Sequence, residues 1–151
     1  MAGRPVSVCA AALALAASGL LGACAVERAP EVGQHAPGYA ASTLDGGTVR
    51  LSDLHGEVVL LNLWATWCFP CRREMPSLEA LHREHREHGL RIVAVSVDAA
   101  GATREIRAFL DELGISFLTL HDPDQRVARA FRTRGLPETF LIGRDGRILR
   151  H

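Results

Sequence analysis

Lysine is missing from this chain: all 17 basic residues are arginine, and 17 aspartates and glutamates bring the formal net charge to zero. A neutral average argues against a nucleic-acid surface, which needs a basic excess to meet phosphates. Internal repeats are absent, so 151 residues should form one domain, and 48% hydrophobic content supports an ordinary core. Charge is missing altogether from Pro5 to Val26. Cysteine is sparse, confined to Cys9, Cys24, Cys68 and Cys71. There is no second Cys-x-x-Cys and no Cys/His pair at finger spacing, so a zinc ion would lack its four ligands.

What remains is concentrated in Trp67-Cys68-Phe69-Pro70-Cys71. Upstream, Glu57 to Trp64 is β-branched and almost continuously apolar, as expected of a strand buried on both faces. Downstream, Met75, Leu78 and Leu81 recur at helical spacing. The cysteines therefore fall at a strand-to-helix junction, with Cys68 at the helix entrance. Unpaired N–H groups and the positive end of the macrodipole favour a thiolate there. A shift from about 8.5 to about 7 would correspond to roughly 2 kcal/mol. Pro70 suits the first helical turn, since its missing N–H costs nothing there. Cys68 is expected to be the exposed attacking sulfur and Cys71 the buried resolving one. A structural disulfide is the competing interpretation, but so small a loop adds little stability. Half of a metal site is another, short of ligands as noted. A redox-active pair is the expectation.

The N-terminal segment has a basic start at Arg4, an apolar run and small residues, the pattern of a signal peptide over residues 1–23. Leu21-Gly22-Ala23-Cys24 resembles the lipobox of bacterial lipoproteins, which would make Cys24 the lipidated first residue. Ala23-Cys24-Ala25 also fits ordinary cleavage, and a retained anchor helix is the third alternative. All three place the remainder outside the cytoplasm. Cys9 is lost with the signal, leaving Cys68 and Cys71 as the free pair. An oxidising compartment then demands an electron source if the pair is to reduce anything.

Residues 24–34 read as a tether. Tyr39 to Thr43 and Thr48 to Leu51 flank Asp45-Gly46-Gly47, a hairpin signal. Ser52 is expected to cap a single turn over Asp53 to His55. The helix from the cysteines should run to about His88 and end at Gly89. Pro76 predicts a kink near Arg72 to Glu74. Further strands are expected over Arg91 to Val97, Ser116 to Leu120, Thr139 to Ile142 and Arg147 to Arg150. Helices are expected over Thr103 to Leu113 and Gln125 to Phe131. Strands alternating with helices before a closing hairpin imply an α/β sandwich around a mixed sheet.

Two motifs in order make this pattern specific. Trp64-Ala65-Thr66-Trp67-Cys68-Phe69-Pro70-Cys71-Arg72-Arg73-Glu74-Met75-Pro76 and Gly135-Leu136-Pro137-Glu138-Thr139-Phe140-Leu141-Ile142 together resemble the TlpA/ResA/CcmG group of thioredoxin-like proteins. The resemblance runs from about Gly33 to the end, so residues 35–151 are assigned to a thioredoxin-like domain. It implies an N-terminal hairpin and a strand–helix insertion; the group's C-terminal helix has no counterpart here. It further implies a membrane-tethered thiol–disulfide oxidoreductase with no cofactor beyond the Cys68–Cys71 pair. Its substrate would be a protein disulfide, such as that of apocytochrome c, and its electrons would come from a membrane thiol reductase.

By the same resemblance, Pro137 matches a cis-proline facing the disulfide, and Leu136 would offer backbone groups to substrate. Composition alone cannot show the cis form, and a trans proline opening an edge strand is the alternative; the resemblance favours cis. Glu74 matches an acid one helical turn past Cys71, placed to take its proton; the alternative is a first-turn carboxylate favoured by the dipole. Glu138 matches a glutamate of the CcmG-like subset, or is a solvated strand end. Trp67 should shield the site, while Trp64 belongs to the core. His82, His85 and His88 read as a solvated, salt-linked helix face rather than metal ligands. His121-Asp122-Pro123-Asp124 reads as a turn opening a helix.

Two rival functions belong to other classes. A peroxiredoxin-type peroxidase needs Pro-x-x-x-Thr-x-x-Cys, but position 61 is Leu and Thr66 stands two before Cys68, not three. A non-catalytic metal or cytochrome assembly chaperone would not need Cys68 as a nucleophile.

Overall fold

A computed structural model describes residues 29–151. The signal segment, Cys9, Cys24 and the first part of the tether lie outside the described residues.

The expected hairpin is present as β1 (Ala40–Thr43) and β2 (Thr48–Arg50), paired antiparallel. Gly46 takes φ +87 in its turn, a conformation that L side chains resist. A 3-10 turn over Leu51–Leu54 follows, and its cap differs from expectation. Asp53, not Ser52, closes it, accepting the Arg50 N–H at 2.9 Å. Then come β3 (Val58–Trp64), α1 (Phe69–His85), β4 (Leu90–Ser96), α2 (Thr103–Leu113), β5 (Leu118–His121), α3 (Arg126–Ala130), β6 (Glu138–Ile142) and β7 (Ile148–Arg150). A 3-10 turn over Arg86–His88 ends at Gly89, φ +84, and α2 ends at Gly114, φ +63.

The sheet has seven strands in the order β2-β1-β5-β4-β3-β6-β7. β3, β4 and β5 run parallel; the others pair antiparallel. β3 sits inside this order and alternates between two cores. Val59, Leu61 and Leu63 pack with Val127, Phe131 and Phe140 on one face. Leu60 and Trp64 pack with Met75 of α1 and Ile106 and Phe109 of α2 on the other. Period-2 side chains facing two apolar layers explain the nearly unbroken apolar run.

The tether does not stay outside the fold up to residue 34. Gly33 N donates to Ile148 O at 2.8 Å, Ile148 N to Gln34 O at 2.9 Å, and Ala36 N to Gly146 O at 2.9 Å. These bonds cover the outer edge of β7, which would otherwise expose unpaired backbone groups.

The buried stripe of α1 is also rotated from expectation. Cys71, Met75, Glu79 and His82 are buried, while Leu78 and Leu81 are half-buried. His82 therefore leaves the expected solvated face: its ring meets Phe117 edge-on at 6.1 Å, and burial holds the imidazole below its ordinary range. Glu79 joins α1 to the loop before β5, accepting from Ser116 N at 2.8 Å and Ser116 Oγ at 2.7 Å, with Arg83 Nε at 2.6 Å. Burial works against that charge, but these donors together hold the carboxyl below its ordinary range.

Candidate active site

β3 ends at Trp64, and the chain turns through Ala65, Thr66 and Trp67 into α1. The turn is fixed from below by Asp98, just past β4. Its buried carboxylate accepts from Thr66 N at 3.0 Å, Thr66 Oγ1 at 2.7 Å and Ser96 Oγ at 2.7 Å. The main chain of Asp98 is held in turn, its N–H donating to Ser96 Oγ at 3.1 Å and its carbonyl lying 3.0 Å from His121 Nε2. Sequence reading did not single out Asp98 or Ser96. Their only signal was a small polar residue and an acid closing an apolar strand.

This clamp predicts that Thr66→Val lowers the stability of the oxidised protein by about 1.5–3 kcal/mol, the range for a hydrogen bond to a charged group. Thr66→Ser, which keeps the hydroxyl, should recover most of the loss. Urea unfolding followed by tryptophan fluorescence measures both; equal losses would detach the hydroxyl from the effect.

Cys68 is the N-cap of α1, and Phe69 and Pro70 open the helix as expected. Cys68 and Cys71 form a disulfide. The N–H of Cys71 points at Cys68 Sγ at 3.3 Å, and the Arg72 N–H bonds Cys68 O at 3.1 Å. The same N–H would face a thiolate once the bond opens. Accessibility is less unequal than expected: Cys68 is 5% exposed and Cys71 fully covered. The covered cysteine is the expected resolving one, but Cys68, the expected attacking one, is itself buried while the disulfide is closed. Around it stand Trp67, 71% exposed, and Phe69, 67% exposed, with the Arg73 guanidinium 5.3 Å from the Phe69 ring centre. Trp64 is fully buried, as expected.

The Leu136–Pro137 peptide bond is cis. β6 pairs Glu138 with Leu63, and one further step of that register carries Pro137 to Trp64, at the end of β3 that bears the cysteines. Leu136 packs against both cores, including the cluster that holds Cys68 and Cys71. Glu138 is not a solvated strand end: it accepts the Arg134 N–H at 3.2 Å and lies 2.6 Å from His151 Nε2.

Glu74 is half-buried, and its carboxylate accepts from Asn62 Nδ2 at 2.8 Å. Burial pushes this carboxyl above its ordinary range, and the Asn62 bond opposes that push. Asn62 and its second partner, Thr139, were also missed, although an amide inside an apolar strand is itself a signal. Among the described residues, no group of three His, Cys, Asp or Glu side chains is placed to hold a metal. His85 and His88 meet ring to ring at 6.3 Å, and Asp122 accepts the Val127 N–H at 2.7 Å as the turn into α3 requires.

A Cys-x-x-Cys pair at the entrance of α1, beside a cis-proline in a sheet of this order, defines a thioredoxin-like thiol–disulfide oxidoreductase. Residues 32–151 match the AhpC/TSA family, and the chain belongs to that family. It is 33% identical over 119 residues to the thiol-disulfide oxidoreductase ResA of Bacillus thuringiensis (strain Al Hakam), covering 79% of this chain and 68% of that protein. To the protein of the same name from Oceanobacillus iheyensis it is 40% identical over 121 residues, covering 78% and 62%. Its fold superposes with a TM-score of 0.75 on the crystal structure assigned to a thiol:disulfide interchange protein DsbE from Chlorobium tepidum. That pair is 34% identical, with 81% of this chain and 84% of the other covered.

Proposed function

We propose that the protein is an extracytoplasmic reductase of protein disulfides, lipid-anchored through Cys24 and supplied with electrons by a membrane thiol reductase. The single observation that carries the chemistry is Cys68 as N-cap of α1, with the Cys71 N–H aimed at its sulfur. The location rests on the uncharged N-terminal run and on Leu21-Gly22-Ala23-Cys24.

The Cys68 thiolate attacks one sulfur of a substrate disulfide, and the other leaves as a thiolate that takes a proton from water. Glu74 takes the proton of Cys71, whose thiolate attacks Cys68 Sγ. The Cys68–Cys71 bond closes as the mixed disulfide breaks, and two electrons have passed to the substrate. Trp67 receives the substrate through apolar contact. Leu136, Pro137 and Glu138 form the edge along which its chain lies. A substrate with two neighbouring cysteines suits this exchange, and the haem-binding cysteines of apocytochrome c are the proposed example.

A peroxidase role finds no support at the site. Leu61 is buried in the core, and the Thr66 hydroxyl is engaged by Asp98. Equilibration of the purified domain with glutathione tests direction. The expected reduction potential lies well below about −180 mV; a value near about −120 mV would mark an oxidant and reverse the assignment.

A further inference from the structure

Asn62 is fully buried in the middle of β3, and both of its known bonds come from one end of its amide. Nδ2 donates to Glu74 Oε1 at 2.8 Å on α1 and to Thr139 Oγ1 at 3.0 Å on β6. The other end, Oδ1, is buried and has no partner among the described residues. Leaving an acceptor dry is costly, so its persistence inside a sheet calls for a physical reason.

The neighbours make both orientations of the amide usable. An ionised carboxylate can only accept, whereas a carboxylic acid also donates. A threonine hydroxyl does either. Half a turn of the amide exchanges its nitrogen and oxygen, so Oδ1 could accept from a protonated Glu74 and from the Thr139 hydroxyl at once. Both bonds survive the half-turn, which moves the unpartnered place from Oδ1 to the Nδ2 hydrogens, and the acid permits an orientation that the carboxylate forbids.

We propose that Asn62 and Thr139 form a hydrogen-bond relay that follows the proton on Glu74, presenting amide N–H groups to the carboxylate and the amide oxygen to the acid. The relay deepens the role of Glu74 as the base for Cys71 and rests on it for its use in turnover. The proton leaves Cys71 Sγ for a Glu74 oxygen. Cys71 then bonds Cys68, the bond from Cys68 to the substrate sulfur breaks, and the departing thiolate takes a proton from water. Through this exchange the relay keeps Glu74 hydrogen-bonded in both of its charge states. The charged side chains next to Glu74 along α1, and Glu138 on β6, are engaged elsewhere. On α1, Arg72 pairs with Glu112 and Arg73 lies over Phe69; on β6, Glu138 is held by His151 and the Arg134 N–H.

Carbon-detected NMR titration of the Glu74 carboxyl, read together with the Asn62 side-chain amide resonances, tests the relay in the reduced and oxidised protein. The amide resonances should move with the same midpoint as Glu74, and that movement should vanish in Glu74→Gln. Asn62→Leu removes a donor that favours the charged form, so the Glu74 midpoint should rise by about one pH unit, a tenfold change in proton affinity. Thr139→Val should broaden or split the amide transition without a comparable shift. Amide resonances that ignore the Glu74 midpoint would overturn the relay, and this arm needs no variant that might unfold. A Glu74→Gln protein that resolves mixed disulfides at the normal rate would instead remove Glu74 as base while leaving the relay intact.

Discussion

Replacing Cys71 with serine is expected to turn the protein from a catalyst into a trap. Cys68 keeps its position, because the N–H aimed at its sulfur belongs to the backbone of residue 71 and survives the substitution. It can still attack a substrate disulfide. What disappears is the second sulfur, the one that releases the captured partner. Mixed disulfide should accumulate on Cys68 in near-stoichiometric amount, seen by mass spectrometry without reductant. Turnover of a model disulfide should fall by about three orders of magnitude or more, as for removal of a covalent catalyst. Cys68→Ser should lose turnover equally but form no adduct. The asymmetry rests on Cys71 being fully covered and on the Cys71 N–H aimed at Cys68 Sγ at the helix entrance, which favours a thiolate on Cys68. Adducts forming on Cys71 in Cys68→Ser, and not the reverse, would interchange the two roles.

The parts of this site that were legible in sequence are those set by local chemistry. A cysteine, a proline and a second cysteine after a buried strand specify a helix entrance, and the structure has one at Cys68. Gly89 stops the chain's helical run where expected, although α1 itself ends at His85 and a 3-10 turn fills the interval, because a residue without Cβ takes its positive φ readily. The resemblance supplied Pro137. Sequence gave no account of the contacts that tertiary packing creates. Asp98 lies 32 residues from Thr66, and Thr139 lies 77 from Asn62, so no spacing rule connects them. The drift of α1 was missed for a related reason. Its apolar residues at 75, 78 and 81 suggested one stripe, but Glu79 and His82 are drawn inward by Ser116 and Phe117 from elements far along the chain. The Ser52 cap failed locally, since Asp53 is the better acceptor for the Arg50 N–H.

The two tryptophans of the motif should respond oppositely to truncation, and the larger stability effect belongs to Trp64. It is the last residue of β3, fully buried, with its indole 4.8 Å from the Phe109 ring and tilted by 37°. It thus joins the floor under the cysteines to α2, while its carbonyl accepts the Val97 N–H at 2.9 Å. Trp64→Ala removes that floor and leaves a cavity that rigid strands on either side cannot collapse. A loss of about 3–5 kcal/mol is expected, a large share of the roughly 5–15 kcal/mol that holds a domain together. Trp64→Phe should cost clearly less, partly because Trp64 Nε1 is a buried donor with no partner among the described residues, and phenylalanine removes it. Trp67→Ala, at a residue 71% exposed, should leave stability within about 0.5 kcal/mol of the parent while weakening substrate binding. Urea unfolding of the oxidised proteins, paired with the concentration dependence of disulfide exchange, separates the two. If Trp67→Ala unfolded as readily as Trp64→Ala, the exposed ring would belong to the core and could not be the surface that receives a substrate.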